Sequence, residues 1–228
     1  MSMMAEIASA FSQPERVRGG KGRLAGEFVA FFLVVPVAFA VFVPSSWLFQ
    51  ALFLFMLAGL VLLHFTPGFR WAMLIWSVPD RVAVAGFAAL AAAGIAAAVL
   101  WLQPEAFLAL PRRDPWLMAT IAVFYPLLSA LPQELVFRVL YFRRYEPILP
   151  KSTAGMWLNA FVFALAHLMY WNWVAVGLTF AGGLAFAWGY KRRGGFATAF
   201  LMHALAGLTL FALGLGRYFY SAAVVRPF

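Results

Sequence analysis

The chain has 228 residues, 65% of them hydrophobic and 11% charged, with a net charge of +9 and no cysteine. A soluble domain carries about 45–50% apolar and about 25% charged residues and leaves about a quarter to a third of its chain surface wet, so an ordinary soluble fold is excluded. Disulfides and thiolate metal sites go with the cysteines, and a nucleic-acid surface lacks the folded basic domain it needs.

In lipid the backbone must satisfy itself, which leaves helices or a closed barrel. Barrel strands alternate apolar and polar residues, whereas the apolar runs here are long and continuous. The expected fold class is therefore all-α, a polytopic transmembrane helical bundle of seven to eight spans. Met1 to Gly26 is polar and basic, without the short apolar core and cleavage site of a signal peptide. It reads as a cytoplasmic tail over residues 1–26. A bundle follows over 27–215, and 216–228 form a C-terminal tail.

Seven runs approach the ~20 residues that cross ~30 Å of hydrocarbon. They are Glu27–Val43, Trp47–Phe65, Val82–Leu102, Trp116–Tyr141, Thr153–Tyr170, Trp173–Tyr190 and Phe196–Leu215. Gly68–Trp76 is too short to span and is expected at the interface, or as a re-entrant or eighth element. Turn signals separate the runs at Pro44-Ser45-Ser46, Pro67-Gly68, Gln103-Pro104, Pro111 to Pro115, Pro147 to Pro150 and Gly194-Gly195.

Basic residues set the orientation. Arg16, Arg18, Lys21 and Arg23 precede span one, and Arg70 and Arg81 separate spans two and three. Arg143, Arg144 and Lys151 follow span four, and Lys191, Arg192 and Arg193 follow span six. The alternate side holds Arg112 and Arg113, with Arg217 and Arg226 in the tail. The positive-inside rule puts the N-terminus in the cytoplasm and the C-terminus outside. Trp71, Trp76, Trp101, Trp116, Trp171 and Trp173 lie near span ends and read as an interfacial belt. Ala91-Ala92-Ala93-Gly94 in span three, and Ala181-Gly182-Gly183 with Ala187 and Gly189 in span six, are expected at close helix contacts.

Ionisable residues at depth are costly and mark sites or pathways. Four qualify: Glu134 and Arg138 in span four, His167 in span five and His203 in span seven. His64 ends span two and needs no special role, and Glu27 opens span one as an interfacial or capping residue. Glu134 and Arg138 stand four apart and share a helix face. Pro126 and Pro132 bend their helix and free carbonyls, which lipid tolerates where a helix lines a polar cavity. Asn159, Phe163 and His167 recur every four residues along one face. The expectation is that Glu134, His167 and His203 converge on one water-accessible cavity, with Arg138 pairing Glu134. One Glu and two His can bind zinc in principle, but the His-Glu-x-x-His spacing is absent. No metal and no cofactor is expected.

Pro132-Gln133-Glu134-Leu135-Val136-Phe137-Arg138, then Phe163-x3-His167 within Asn159 to Leu168, then His203 on a later span, resemble the three motifs of the CPBP family. These are the CAAX-prenyl-protease and bacteriocin-processing (Abi-type) glutamic intramembrane proteases. The resemblance covers roughly residues 116–215. It implies an intramembrane endopeptidase in which a glutamate and the motif-two histidine activate water, and the motif-three histidine, usually with an asparagine, stabilises the oxyanion. Glu134, His167, His203 and Arg138 become the catalytic candidates. A peptide or membrane-protein substrate, the lipid bilayer as surroundings, and a multi-pass position in a cell membrane of bacterial inner-membrane type follow from it.

The sequence departs from the pattern twice. The family's usual motif has two adjacent glutamates, the first commonly the base; here the first position is Gln133, and an amide cannot take the proton. After His203, Gly207 and Leu208 stand where the asparagine is expected; Asn172 substitutes only if its loop folds inward. These departures keep open a non-proteolytic scaffold or partner-binding relative. A small-solute transporter would call for broken helices in repeated halves, which the chain does not have.

Overall fold

The computed structural model describes residues 20–75, 77–220 and 224–225. Arg16 and Arg18 of the basic tail, Trp76 of the aromatic set and Arg226 lie outside the described residues. Among the described residues all regular structure is helical. The helices are α1 (Lys21–Phe42), α2 (Leu48–His64), α3 (Ala72–Ile75), α4 (Arg81–Leu102), α5 (Ala109–Arg113), α6 (Pro115–Arg144), α7 (Thr153–Ala166), α8 (Trp173–Arg192) and α9 (Phe196–Leu213).

Among the described residues, six segments are long and apolar enough to cross a membrane: α1, α4, α6, α8, α9, and α7 extended by a 3-10 turn to Tyr170. The expected second span is shorter than the rest. With 17 residues α2 is ~26 Å long, just under the ~30 Å hydrocarbon layer. Helix α3 is one turn and cannot cross. The expected all-helical bundle stands; among the described residues six segments can span by length and composition and α2 is a shorter apolar helix, so the expected seven to eight spans are an approximate count.

Local sequence explains the helix ends. Asp80 caps α4 by accepting from Ala83 N at 3.0 Å, and Asp114 caps α6 by accepting from Leu117 N at 2.8 Å, with Pro115 at the first helical position. Segments of wider π-helical winding lie beside Pro36 in α1 and beside Pro126 and Pro132 in α6, at Ala30–Val34, Pro126–Ala130 and Leu135–Leu140. A proline withdraws one donor and crowds the preceding turn, and a locally widened turn absorbs both effects.

Helix α6 is the axis of the bundle. Its first half exposes Val123, Phe124, Leu127 and Leu128, while every residue from Leu135 to Phe142 is buried. A helix buried all round sits at the centre of its neighbours. Phe28 and Phe32 of α1 pack their rings on Tyr141 and Tyr145, and Phe32 also meets Phe137. Gly59 lets α2 approach α6: a methyl group there would stand 2.6 Å from a Val136 methyl. Gly183 lies against Ala160 and Phe163 of α7, and Gly189 against Thr198, Ala199 and Met202 of α9. These are the small-residue contacts expected of span six. The expectation for span three is corrected at Gly94, which faces open space, because α4 meets the bundle through Ile95 and Val99.

Glu27 also needs correction. The helix starts at Lys21, so Glu27 lies in its second turn and caps nothing. Its carboxylate accepts from Nε of Arg144, from Nη2 of Arg144 at 2.8 Å and from the Tyr145 hydroxyl at 2.7 Å. This cluster ties α1 to the end of α6, and it draws Arg144 inward from the solvated loop assigned to it. Trp101, Trp116 and Trp173 are exposed at helix ends, but Trp171 donates its indole N–H to the Ala40 carbonyl at 2.8 Å and serves packing instead.

Candidate active site

Three helices bring the intramembrane polar residues together. Glu134 and Arg138 come from α6, His167 from the end of α7 and His203 from α9. Glu134 and Arg138 are fully buried, and the histidines are nearly so. His203 Nδ1 lies 2.8 Å from Glu134 Oε1. Arg138 Nε lies 3.3 Å from Glu134 Oε2. Two opposite charges buried side by side are tolerable only as a pair, and the guanidinium stands as the counterion to this carboxylate.

As a carboxylate Glu134 can only accept. His203 Nδ1 is then the donor, and a neutral ring keeps its lone pair at Nε2. The same logic applies at His167, whose Nδ1 lies 2.7 Å from the Phe163 carbonyl. That oxygen accepts too, so His167 also carries its proton on Nδ1 and its lone pair on Nε2. Both rings meet the Phe163 ring, at centroid distances of 4.7 Å for His167 and 5.6 Å for His203. His203 is further stacked on Phe186 at 4.7 Å and 12°. The Arg138 guanidinium lies over the same two rings, 4.7 Å from the Phe163 centroid and 5.6 Å from that of Phe186.

Both histidines line a cavity of about 150 Å³. Tyr125, Ser129 and Gln133 of α6, Tyr170, Thr179 of α8 and Gly207 of α9 share its wall, with Phe186, Phe211 and Phe219. Glu134, Arg138 and Asn159 do not line it. Glu134 sits behind His203, and the residue that faces the cavity from motif one is Gln133. The reason is helical rotation: adjacent residues point about 100° apart, and Gln133 shares its face with Ser129, to which its amide donates at 2.9 Å. The remaining Gln133 oxygen is buried without a partner.

Asn159 lies deeper. Its amide donates to the Phe137 carbonyl at 2.6 Å, beside a second bond to that carbonyl from Arg138 Nη1 at 3.2 Å. The motif-one helix is thus held on the asparagine of motif two. Asn172 is not turned into the cavity. It caps α8, accepting from Val174 N at 2.8 Å and Ala175 N at 3.3 Å. His64 is exposed and accepts from the Trp71 indole at 3.2 Å.

Two cavity residues carried no signal in the sequence. Tyr125 is one tyrosine among many aromatics on a span. Phe219 falls in the stretch read as a tail, yet the 3-10 turn Gly216–Phe219 brings its ring to 6.4 Å from His167 and 5.8 Å from Tyr170.

The motif order and this geometry meet in one comparison. Residues 115–209 match the family model described as type II CAAX prenyl endopeptidase Rce1-like. The segment is similar to the Rce1-like proteins of the CPBP family. It covers α6 to most of α9, and so every residue of the polar cluster. No curated protein and no solved structure gives a match. The Rce1-like family is a protease family, and the apolar helices fit an integral membrane protein.

Proposed function

We propose that the chain is an intramembrane endopeptidase that hydrolyses a peptide bond in the cavity between α6, α7, α8 and α9. The observation that carries this reading is the Glu134–His203 bond of 2.8 Å beside a cavity that both histidines line. A carboxylate that holds one imidazole nitrogen fixes the tautomer and aims the other nitrogen, the orienting role known from hydrolytic triads.

In this account Glu134 acts through His203 and never touches the substrate. A water that donates one hydrogen bond to His167 Nε2 and the other to His203 Nε2, beside Gln133, adds its oxygen to the scissile carbonyl carbon. His203 Nε2 takes the water's proton. The tetrahedral intermediate collapses, the C–N bond breaks, and the His203 imidazolium passes its proton to the departing amine. A carboxylate and an amine result, and Glu134 remains ionised throughout.

The cavity lies towards the end of the bundle that carries Tyr170, Trp173 and Leu213. Lys151, Lys191, Arg192 and Arg193 mark the opposite end. With the basic loops in the cytoplasm, the substrate reaches the site from the non-cytoplasmic half. A peptide segment or the terminus of a membrane protein fits that position.

Purified protein should cleave a quenched fluorescent peptide library, and His203→Ala and His167→Ala should each abolish cleavage. Gln133 favours a second reading. An amide stands at the cavity face where a carboxylate would be a base in its own right, which suits a relative that binds a membrane-protein partner without cutting it.

A further inference from the structure

We infer that the Tyr125 hydroxyl is the hydrogen-bond donor to the tetrahedral oxygen in this cavity. The inference rests on the peptidase reading for its chemistry and on separate residues for its geometry. Water addition to a carbonyl creates an oxyanion, and a donor aimed at that oxygen in a water-poor site gains strength. The polar lining is small enough to assign. Thr179 spends its proton on the Ala175 carbonyl at 2.8 Å. The Gln133 amide donates to Ser129. Both histidines carry their protons on Nδ1, pointing away into Glu134 and the Phe163 carbonyl. Tyr125, Tyr170 and Ser129 remain with hydroxyl protons that no acceptor among the described residues takes.

Position separates these three. Tyr170 packs on His167 and Phe219 at the outer end of the cavity. Ser129 accepts from Gln133 and belongs to the side of the proposed water. Tyr125 faces His203 edge-on at 6.2 Å and Phe211 at 5.7 Å. Its hydroxyl end lies directly over Gly207, one turn beyond His203. A Cβ at position 207 would collide with the Tyr125 hydroxyl and with the ring carbons next to it. The α9 helix therefore has no side chain at this place, and the vacant volume is filled by a phenol from α6. That arrangement sets an unspent O–H beside the proposed base, in the wall of the cavity where the scissile carbonyl would lie.

The test uses an N-acetylated Phe–Leu phosphonamidate dipeptide, whose tetrahedral P–O⁻ stands where the oxyanion forms, and the parent amide. Tyr125→Phe, Ser129→Ala and Tyr170→Phe are compared with wild type in full-length protein. Tyr125→Phe should weaken phosphonamidate binding tenfold or more, leave amide binding within twofold, and lower kcat about 100-fold with KM little changed. Ser129→Ala and Tyr170→Phe should leave the phosphonamidate affinity within twofold. Equal phosphonamidate affinity in wild type and Tyr125→Phe overturns the assignment. So does a loss carried by Ser129→Ala or Tyr170→Phe, or a wild type that binds the phosphonamidate no better than the amide. A wild type that favours the phosphonamidate through Tyr125 but never cleaves would instead sink the peptidase reading and leave the donor assigned.

Discussion

His203 Nδ1 lies 2.8 Å from Glu134 Oε1, although 69 residues of chain separate them. The carboxylate itself is not in the cavity wall; the imidazole is. In the proposed reaction Glu134 is then a positioning residue, and Gln133 is the residue of motif one that faces the cavity.

Gln133→Glu should raise peptide cleavage roughly tenfold or more, because a carboxylate at the cavity face adds a base where an amide cannot take a proton. Steady-state rates on one peptide check it. A wild type that is inert while Gln133→Glu cleaves would favour the partner-binding reading, with the family's site silenced at one position.

Arg138→Met should destabilise the bundle by about 3–5 kcal/mol, since it leaves the Glu134 charge buried without its counterion. Thermal unfolding in detergent measures this. The double variant Arg138→Met with Glu134→Leu should recover much of the loss, because burying two apolar groups costs less than burying one charge.

Arg144→Ala should cost about 1–2 kcal/mol and free the first helix, since it removes both guanidinium bonds to Glu27 from a largely buried site. Hydrogen exchange should rise over 21–29 and stay low over 135–142. Equal protection in both segments would mean that the Phe28 and Phe32 packing alone holds α1.

Much of this was legible in the sequence because charge is so expensive in lipid. Glu134, Arg138, His167 and His203 stood out as the intramembrane ionisable residues, and span lengths with glycine and proline breaks outlined the helices. What stayed hidden was rotation. Prolines and π-helical turns in α6 defeat a simple count of 100° per residue, so the sequence did not say which of Gln133 and Glu134 would face the cavity. Tyr125 and Phe219 were invisible because an aromatic on a span reads as packing or lipid contact. Glu27 was misplaced because its partner, Arg144, looked like one more solvated loop charge.

The natural absence of cysteine makes the orientation simple to test. In intact cells an impermeant maleimide should label Glu105→Cys, between α4 and α5, and should miss Lys191→Cys at the end of α8. The reverse pattern would place the cavity in the cytoplasmic half and the substrate with it.

The most direct measurement is kcat and KM for wild type and Glu134→Gln on the same peptide, with the fold of both checked by circular dichroism. If Glu134 orients His203, Glu134→Gln should lose about 10²–10⁴-fold in kcat with KM within twofold. Equal kcat values in the two proteins would contradict the account.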